Sequence, residues 1–326
     1  MFTHDHSRIL DDSATTYAAW IDAARGLDAL GPALNWKTIN GTDYLYERFG
    51  AAWGASRGAR DERTEAIIAE DLKRREGFEE TLRTSNARLG VLASQYRALG
   101  LPRVHPIFGQ ICRAADLKSM LGNSILVVGT NAMPVYEVEA QDRFLQGLNE
   151  TQDCDFAWAG AHFQVTAQPQ AEIRPKPFYA LVKSVDEYFT VNQERPFQLR
   201  NREGYEVELL LAPSRAASYP KTESVLPSEL PEQEWLLMGR KLSHVVFDTS
   251  NKPVRIVAPD PRWMALHKLW LADKPTRNPL KRPKDRKQGQ LLAAAVAKNM
   301  PGFPVSDEFL STVPEELRRY VGAFSA

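Results

Sequence analysis

The residues best suited to chemistry are two aspartates one position apart, Asp153 and Asp155, and a glutamate in a similar setting, Glu208. Side chains alternate between the faces of a strand. Asp153-Cys154-Asp155-Phe156 therefore sets both carboxylates on one side and turns Cys154 and Phe156 to the other. Tyr205-Glu206-Val207-Glu208-Leu209 reads the same way, with Glu206 and Glu208 opposite Val207 and Leu209. Paired acids facing one way suit a divalent cation. Oxygen-only donors suit Mg²⁺, which binds through one or two carboxylates, waters and substrate phosphates and needs no histidine. Upstream, Ile125 to Val128 is a continuous, mostly β-branched apolar run, which reads as a buried strand. Gly129 ends it and permits a tight turn with close approach of a ligand, while Thr130 and Asn131 offer capping groups to a following helix. That combination is a seat for phosphate. The chemistry these parts permit is metal-assisted phosphoryl or nucleotidyl transfer, in which two Mg²⁺ ions about 3.5 to 4 Å apart hold the attacking and leaving oxygens.

Residues 1 to about 105 read mainly as helix. Asp12 and Ser13 cap a segment through Tyr17, Trp20 and Ile21, and Asp61 to Gly100 carries Ile67, Ile68, Leu82, Leu89, Leu92 and Tyr96 near helical spacing. Between them, Asn40-Gly41 flanked by Trp36 and Tyr46 predicts a β-hairpin. Gly54-Ala-Ser-Arg-Gly58 matches the G-x-S-x-G of serine hydrolases, but no buried strand precedes it, so it reads as a glycine-rich loop. A core over 106–213 follows, with a polar loop or edge strand from Gln164 to Pro177 and a capping box, Ser184-Val-Asp-Glu187, opening a short helix through Phe189. Phe197–Arg200 and Tyr205–Pro213 then pair around Asn201–Gly204. Residues 214–326 form a C-terminal region: a linker over 214–234, a hairpin of His244–Phe247 with Val254–Val257, and a helix opened by Pro261 that carries His267 and Lys268. A basic loop, Lys274 to Lys287, holds seven basic residues against one acid, Asp285; a helix through Leu291, Leu292 and Val296 and a short one from Pro314 to Val321 end the chain.

The chain of 326 residues is 43% apolar, enough to bury a sizeable core. Its 41 basic and 41 acidic residues cancel, so no global field makes nucleic acid or an anionic membrane the default partner. No apolar run reaches membrane-spanning length, and the N-terminus lacks the order of a signal peptide, which predicts a cytoplasmic protein. Cys112 and Cys154 are too few for a disulfide framework or a structural zinc site.

Taken together, Gly129-Thr130-Asn131-Ala132, then Thr151-Gln-Asp153-Cys-Asp155-Phe156, then Val207-Glu208-Leu209-Leu210 resemble the Gly-Ser/Thr, Asp-x-Asp and third-acid motifs of the DNA polymerase beta-like nucleotidyltransferase superfamily. Downstream, Trp263-Met-Ala265-Leu-His267-Lys268 with Arg277 and Lys284-Asp285 is similar to the tail of bacterial families of that fold. The resemblance spans Leu117 to Leu292. It implies an α+β fold, a mixed sheet flanked by helices, to which the sequence adds helical N- and C-terminal regions. It further implies a nucleoside triphosphate substrate and two Mg²⁺ ions held by Asp153, Asp155 and Glu208. Backbone at Gly129, Thr130 and Asn131 would seat the phosphates, Lys268, Arg277 and Lys284 would contact the triphosphate, and Asp285 would orient a basic group. The interval from Thr130 to Asp153 is longer than in minimal members, and the third acid is a glutamate where aspartate is usual. Glu206 competes with Glu208 for that role; Val-Glu-Leu-Leu fits the motif better.

These features admit three functions. One is transfer of a nucleoside monophosphate to a hydroxyl on a protein, tRNA end or small molecule. A second is a non-catalytic nucleotide-binding or toxin-antitoxin module on the same fold. The third is RNA binding by the basic loop, against which stands the lack of aromatic residues between Lys274 and Lys287. His267 reads as a helix-surface or core histidine, and His4-Asp5-His6 as a frayed end.

Overall fold

A computed structural model describes residues 1–144, 153–160 and 178–325, so the stretch from Gln164 to Pro177 lies outside the described residues. The chain divides into two compact units, Thr15–Val91, and Met1–Ala14 with Leu92–Ala326. Helix α1 (His4–Ala29) starts well before Asp12, and His4 to His6 form its first turn. Ser13 is inside it, with its hydroxyl donating to the Ile9 carbonyl at 2.6 Å, so it is not a cap.

In the Thr15–Val91 unit, β1 (Ala33–Ile39), β2 (Thr42–Phe49) and β3 (Ala52–Ala59) make an antiparallel meander. Asn40 and Gly41 both adopt positive φ, as the expected hairpin turn requires. The stretch Gly54–Gly58, expected as a loop, lies inside β3. Pairing with β2 holds it extended, while most of its side chains are exposed, so it carries no alternating apolar pattern to read. Helix α2 (Glu62–Ala98) is one continuous helix, opened by Asp61, whose carboxylate accepts from the Thr64 amide at 2.7 Å.

The second unit continues through β4 (Arg103–Val104), α3 (Pro106–Leu117), β5 (Ile125–Val128), a 3₁₀ turn (Gly129–Ala132), α4 (Met133–Glu139), β6 (Asp153–Trp158) and α5 (Phe178–Val185). Then come β7 (Thr190–Val191), β8 (Gln198–Arg200), β9 (Glu206–Leu211), β10 (Ser228–Glu229) and α6 (Gln233–Leu236). The last elements are β11 (Leu242–Asp248), β12 (Pro253–Ala258), α7 (Pro261–Asp273), α8 (Arg282–Asn299), α9 (Asp307–Thr312) and α10 (Glu315–Arg318). The central sheet runs β5-β6-β9-β8-β7, with β10 also paired to β9. It is mixed: β6 and β9 are parallel, while β5 with β6 and β8 with β9 are antiparallel. A smaller sheet has the order β12-β11-β4. The protein is thus α+β, with mixed sheets flanked by helices.

One face of the central sheet is core. Cys154, Phe156, Val207 and Leu209 are fully buried there, and the Phe156 ring packs against Phe108 of α3 at 6.0 Å and Phe178 of α5 at 5.6 Å. The alternation that buries these residues turns Asp153, Asp155, Glu206 and Glu208 to the other face, where they are half-buried.

Several local expectations differ. The capping-box sequence at Ser184 opens no helix, because α5 ends at Val185; the Asp186 carboxylate instead accepts from the Tyr188 amide at 2.9 Å in a turn. Residues 214–234 contain a 3₁₀ turn, β10 and the start of α6 rather than a plain linker. The basic loop ends early: α8 begins at Arg282 with Pro283 in its first turn, since Arg and Lys are good helix formers and proline is favoured there. The end of the chain holds α9 as well as α10.

Candidate active site

Parallel pairing of β6 with β9 sets Asp155 beside Glu208 and Asp153 beside Glu206. A cleft of about 360 Å³ opens over this face, lined by Asp153, Asp155 and Glu208 together with Gly129 and Thr130 at the end of β5 and with side chains of α7 and α8. Glu206 is not among the lining residues and lies 3.9 Å from the Arg200 guanidinium. Gln198, which is buried, donates through one amide nitrogen to both glutamates, at 3.1 Å to Glu206 and 3.0 Å to Glu208. Glu208 is thus held from the neighbouring strand β8.

Gly129 has φ +66°, and a Cβ there would stand 2.1 Å from Asp155 Oδ2. The close approach expected of a ligand is thus made by the Asp155 carboxylate. Thr130 lines the cleft, but Asn131 does not; its side-chain amide donates to the Asp153 carbonyl at 2.7 Å and ties the 3₁₀ turn to β6. Neither Thr130 nor Asn131 caps α4, whose flanking Ala132 makes no side-chain bond.

The basic wall is built on Asp285. Lys268 of α7 is buried, and its ammonium donates to Asp285 Oδ1 at 2.8 Å; the Arg277 guanidinium donates to Oδ2 at 2.8 Å. Asp285 therefore orients two basic groups. Burial raises its pKa, but Lys268 and Arg277 outweigh this and hold the carboxyl below its usual range. Gly289 lets α8 approach α7, since a Cβ there would come within 3.0 Å of the Leu269 amide nitrogen. Lys284 also lines the cleft, its pKa lowered by burial and then by Lys268.

Lys281 was indistinguishable among seven clustered basic residues, yet its ammonium stands 3.2 Å from Asp153 Oδ2. Burial disfavours its charge, but Asp153 more than compensates and its pKa is raised. Other members of the cluster support the backbone and other helices. Arg282 donates to the carbonyls of Lys274, Pro275 and Arg277, and Arg286 pairs with Asp273.

Asp155 reports the electrostatic balance. Burial first, then the charges of Glu208 and Asp153, push its pKa up to about 7 against the opposing pull of Lys268 and Lys281. Burial, more than repulsion by its neighbours, thus resists the charge of Asp155, and all three acids offer oxygen. Among the described residues, no three His, Cys, Asp or Glu side chains stand close enough together to hold a metal ion by themselves. Mg²⁺ takes one or two carboxylates and completes its shell with water and substrate phosphate. The donor set fits such an ion.

Fold and cleft define an α+β protein in which strand-borne acids face basic side chains from two packed helices and the connection between them. The chain belongs to a nucleotidyltransferase family, whose model matches residues 107–314, a segment containing every cleft residue named above. Membership points to transfer of a nucleotidyl group as the family's activity. No curated protein and no solved structure matches the chain significantly. Among the described residues, no helix is long and apolar enough to cross a membrane.

Proposed function

We propose that the protein is a Mg²⁺-dependent nucleotidyltransferase of the DNA polymerase beta-like kind. It moves a nucleoside monophosphate from a nucleoside triphosphate to a hydroxyl acceptor and releases pyrophosphate. The observation that carries this reading is the convergence of Asp153, Asp155 and Glu208, from two strands, on one cleft with Lys268, Lys284 and the Asp285-anchored Arg277. The acceptor oxygen forms a bond to the α-phosphorus as the bond to the β-phosphate oxygen breaks. Glu208, steadied by Gln198, takes the hydroxyl proton. Lys268, Arg277 and Lys284 offset the charge of the triphosphate and of the departing pyrophosphate. Asp153, Asp155 and Glu208 would hold two Mg²⁺ ions, which supply charge neutralisation for the phosphates. The acceptor class is a protein side chain, an RNA end such as that of tRNA, or a small molecule.

The test is incubation of purified protein with Mg²⁺ and each α-labelled ribonucleoside triphosphate, scoring transfer to itself, to RNA and to lysate components. Wild type is expected to transfer label and release pyrophosphate, and the Asp153→Asn, Asp155→Asn double variant to do neither. Label that survives the double variant refutes the site. Nucleotide binding without pyrophosphate release, whatever the acceptor, supports a binding module instead.

A further inference from the structure

Two buried polar side chains line the cleft without a role in its charge balance. His267, on α7, is 5% exposed, and neither ring nitrogen has a hydrogen-bond partner. Gln233, on α6, is 2% exposed, and its side-chain oxygen has none. Folded proteins satisfy about nine in ten buried polar groups, because an unpaired one loses its hydration for nothing. Three orphaned atoms on two residues that line one cleft therefore indicate a ligand that completes them.

The surroundings say what kind. The His267 ring packs beside a pair of touching indoles, edge-on to Trp235 at 6.3 Å and nearly parallel to Trp270 at 6.5 Å. Burial and the adjacent Lys268 charge push its pKa down to about 3, so the imidazole is neutral and presents one donor and one acceptor. Leu230, Leu236 and Leu271 line the same cleft. A neutral imidazole and an amide oxygen offer no charge to a phosphate, for which Lys268, Lys284 and Arg277 are available. An apolar wall with a few fixed, uncharged donors and acceptors suits a flat heterocycle with polar edges.

We infer that Gln233 and His267 form a nucleobase subsite that reads the hydrogen-bonding edge of the incoming nucleotide and sets nucleotide preference. This rests on the nucleotidyltransferase reading of the cleft. His267 neighbours Lys268 on α7, so one helix contributes to both base selection and triphosphate binding.

The experiment compares calorimetric binding of α,β-methylene analogues of ATP, GTP, CTP and UTP, and of inorganic tripolyphosphate, all with Mg²⁺. Proteins tested are wild type, Gln233→Met and His267→Phe. Wild type is expected to prefer one base by about ten-fold or more over the least favoured, and each variant to lose most of that preference. Tripolyphosphate affinity and melting temperature should be unchanged in both variants, because an apolar group of similar size replaces an unpaired polar one. Equal wild-type affinity for all four analogues, or a preference that survives both variants, overturns the subsite while leaving the nucleotide reading intact. A variant that loses tripolyphosphate binding and melting temperature together assigns that residue to the fold and overturns its role here. If wild type binds neither analogues nor tripolyphosphate, the nucleotidyltransferase reading itself falls.

Discussion

Removing the Asp285 carboxylate isolates the consequence of building the basic wall on one acid. In Asp285→Ala, Lys268 keeps an ammonium on a side chain only 5% exposed, with its 2.8 Å partner gone, while Arg277, at 28%, can turn toward water. The cost is therefore dominated by Lys268. Breaking a buried pair by deleting one partner costs about 3–5 kcal/mol. For a unit of about 250 residues, an unfolding entropy of about 2.1 cal/mol/K per residue converts this to a fall in melting temperature of about 6–10 °C. Thermal unfolding by circular dichroism measures it. The control is Lys268→Met with Asp285→Leu, which removes both charges and should return stability to within about 2 °C of wild type. Transfer activity should remain low in both proteins, because each lacks an oriented Lys268. A loss below about 2 °C for Asp285→Ala refutes the claim that the carboxylate is what makes the buried lysine tolerable.

Three further outcomes follow from the geometry. Gly129→Ala places a side chain at φ +66° and against Asp155, so it should lose about 1–2 kcal/mol and nearly all transfer activity. Gly41→Ala, also at positive φ but with nothing within 4 Å, should lose similar stability and no activity; equal activity in the two alanine variants would sink the Gly129–Asp155 contact as a functional one. Glu208→Gln should slow label transfer by about 100-fold or more and Glu206→Gln by less than about ten-fold, as steady-state rates can show; the reverse order makes Glu206 the third acid. Glu139 accepts a hydrogen bond from His244 at 2.7 Å, which lowers its folded pKa beneath the ordinary 4.5. Its contribution to stability is then complete above that value and lost as pH falls through the folded one. Melting curves between about pH 6 and pH 3 should drop more steeply for wild type than for Glu139→Gln, and parallel curves would refute the contribution.

The site was legible where chemistry is written in local alternation. Asp153 and Asp155 share a face because Cys154 and Phe156 must be buried, and that constraint is visible in four consecutive residues. Strand pairing was not visible in this way. The choice between Glu206 and Glu208 depends on β9 running parallel to β6 in a register that sets Glu208 beside Asp155, a contact across more than fifty positions. Motif fit favoured Glu208, and the cleft lining includes it without Glu206. Lys281 carried no readable signal, since a run of seven basic residues gives each the same local description. Only the start of α8 separates Lys281, set on Asp153, from Arg282, spent on backbone carbonyls. Gly54–Gly58 failed for the opposite reason. Its strand is held by hydrogen bonds to β2 while most side chains stay exposed, so no burial pattern marks it.

His267 shows why residue type and spacing understate a site. A histidine on an apolar helix is ordinarily a satisfied core residue, and its sequence neighbours give no reason to think otherwise. What distinguishes it is that two indoles hold the ring while nothing meets its nitrogens, and this depends on α6, which begins only at Gln233, packing beside α7. The sequence-level signal was in fact suppressed by burial, which makes the histidine look structural and also keeps it neutral. A neutral imidazole carries one donor and one acceptor, a pattern that can tell one base edge from another. Burial that argues against catalysis at His267 thus fits a role in selection, and both Gln233 and His267 stand outside the cleft's charge pattern.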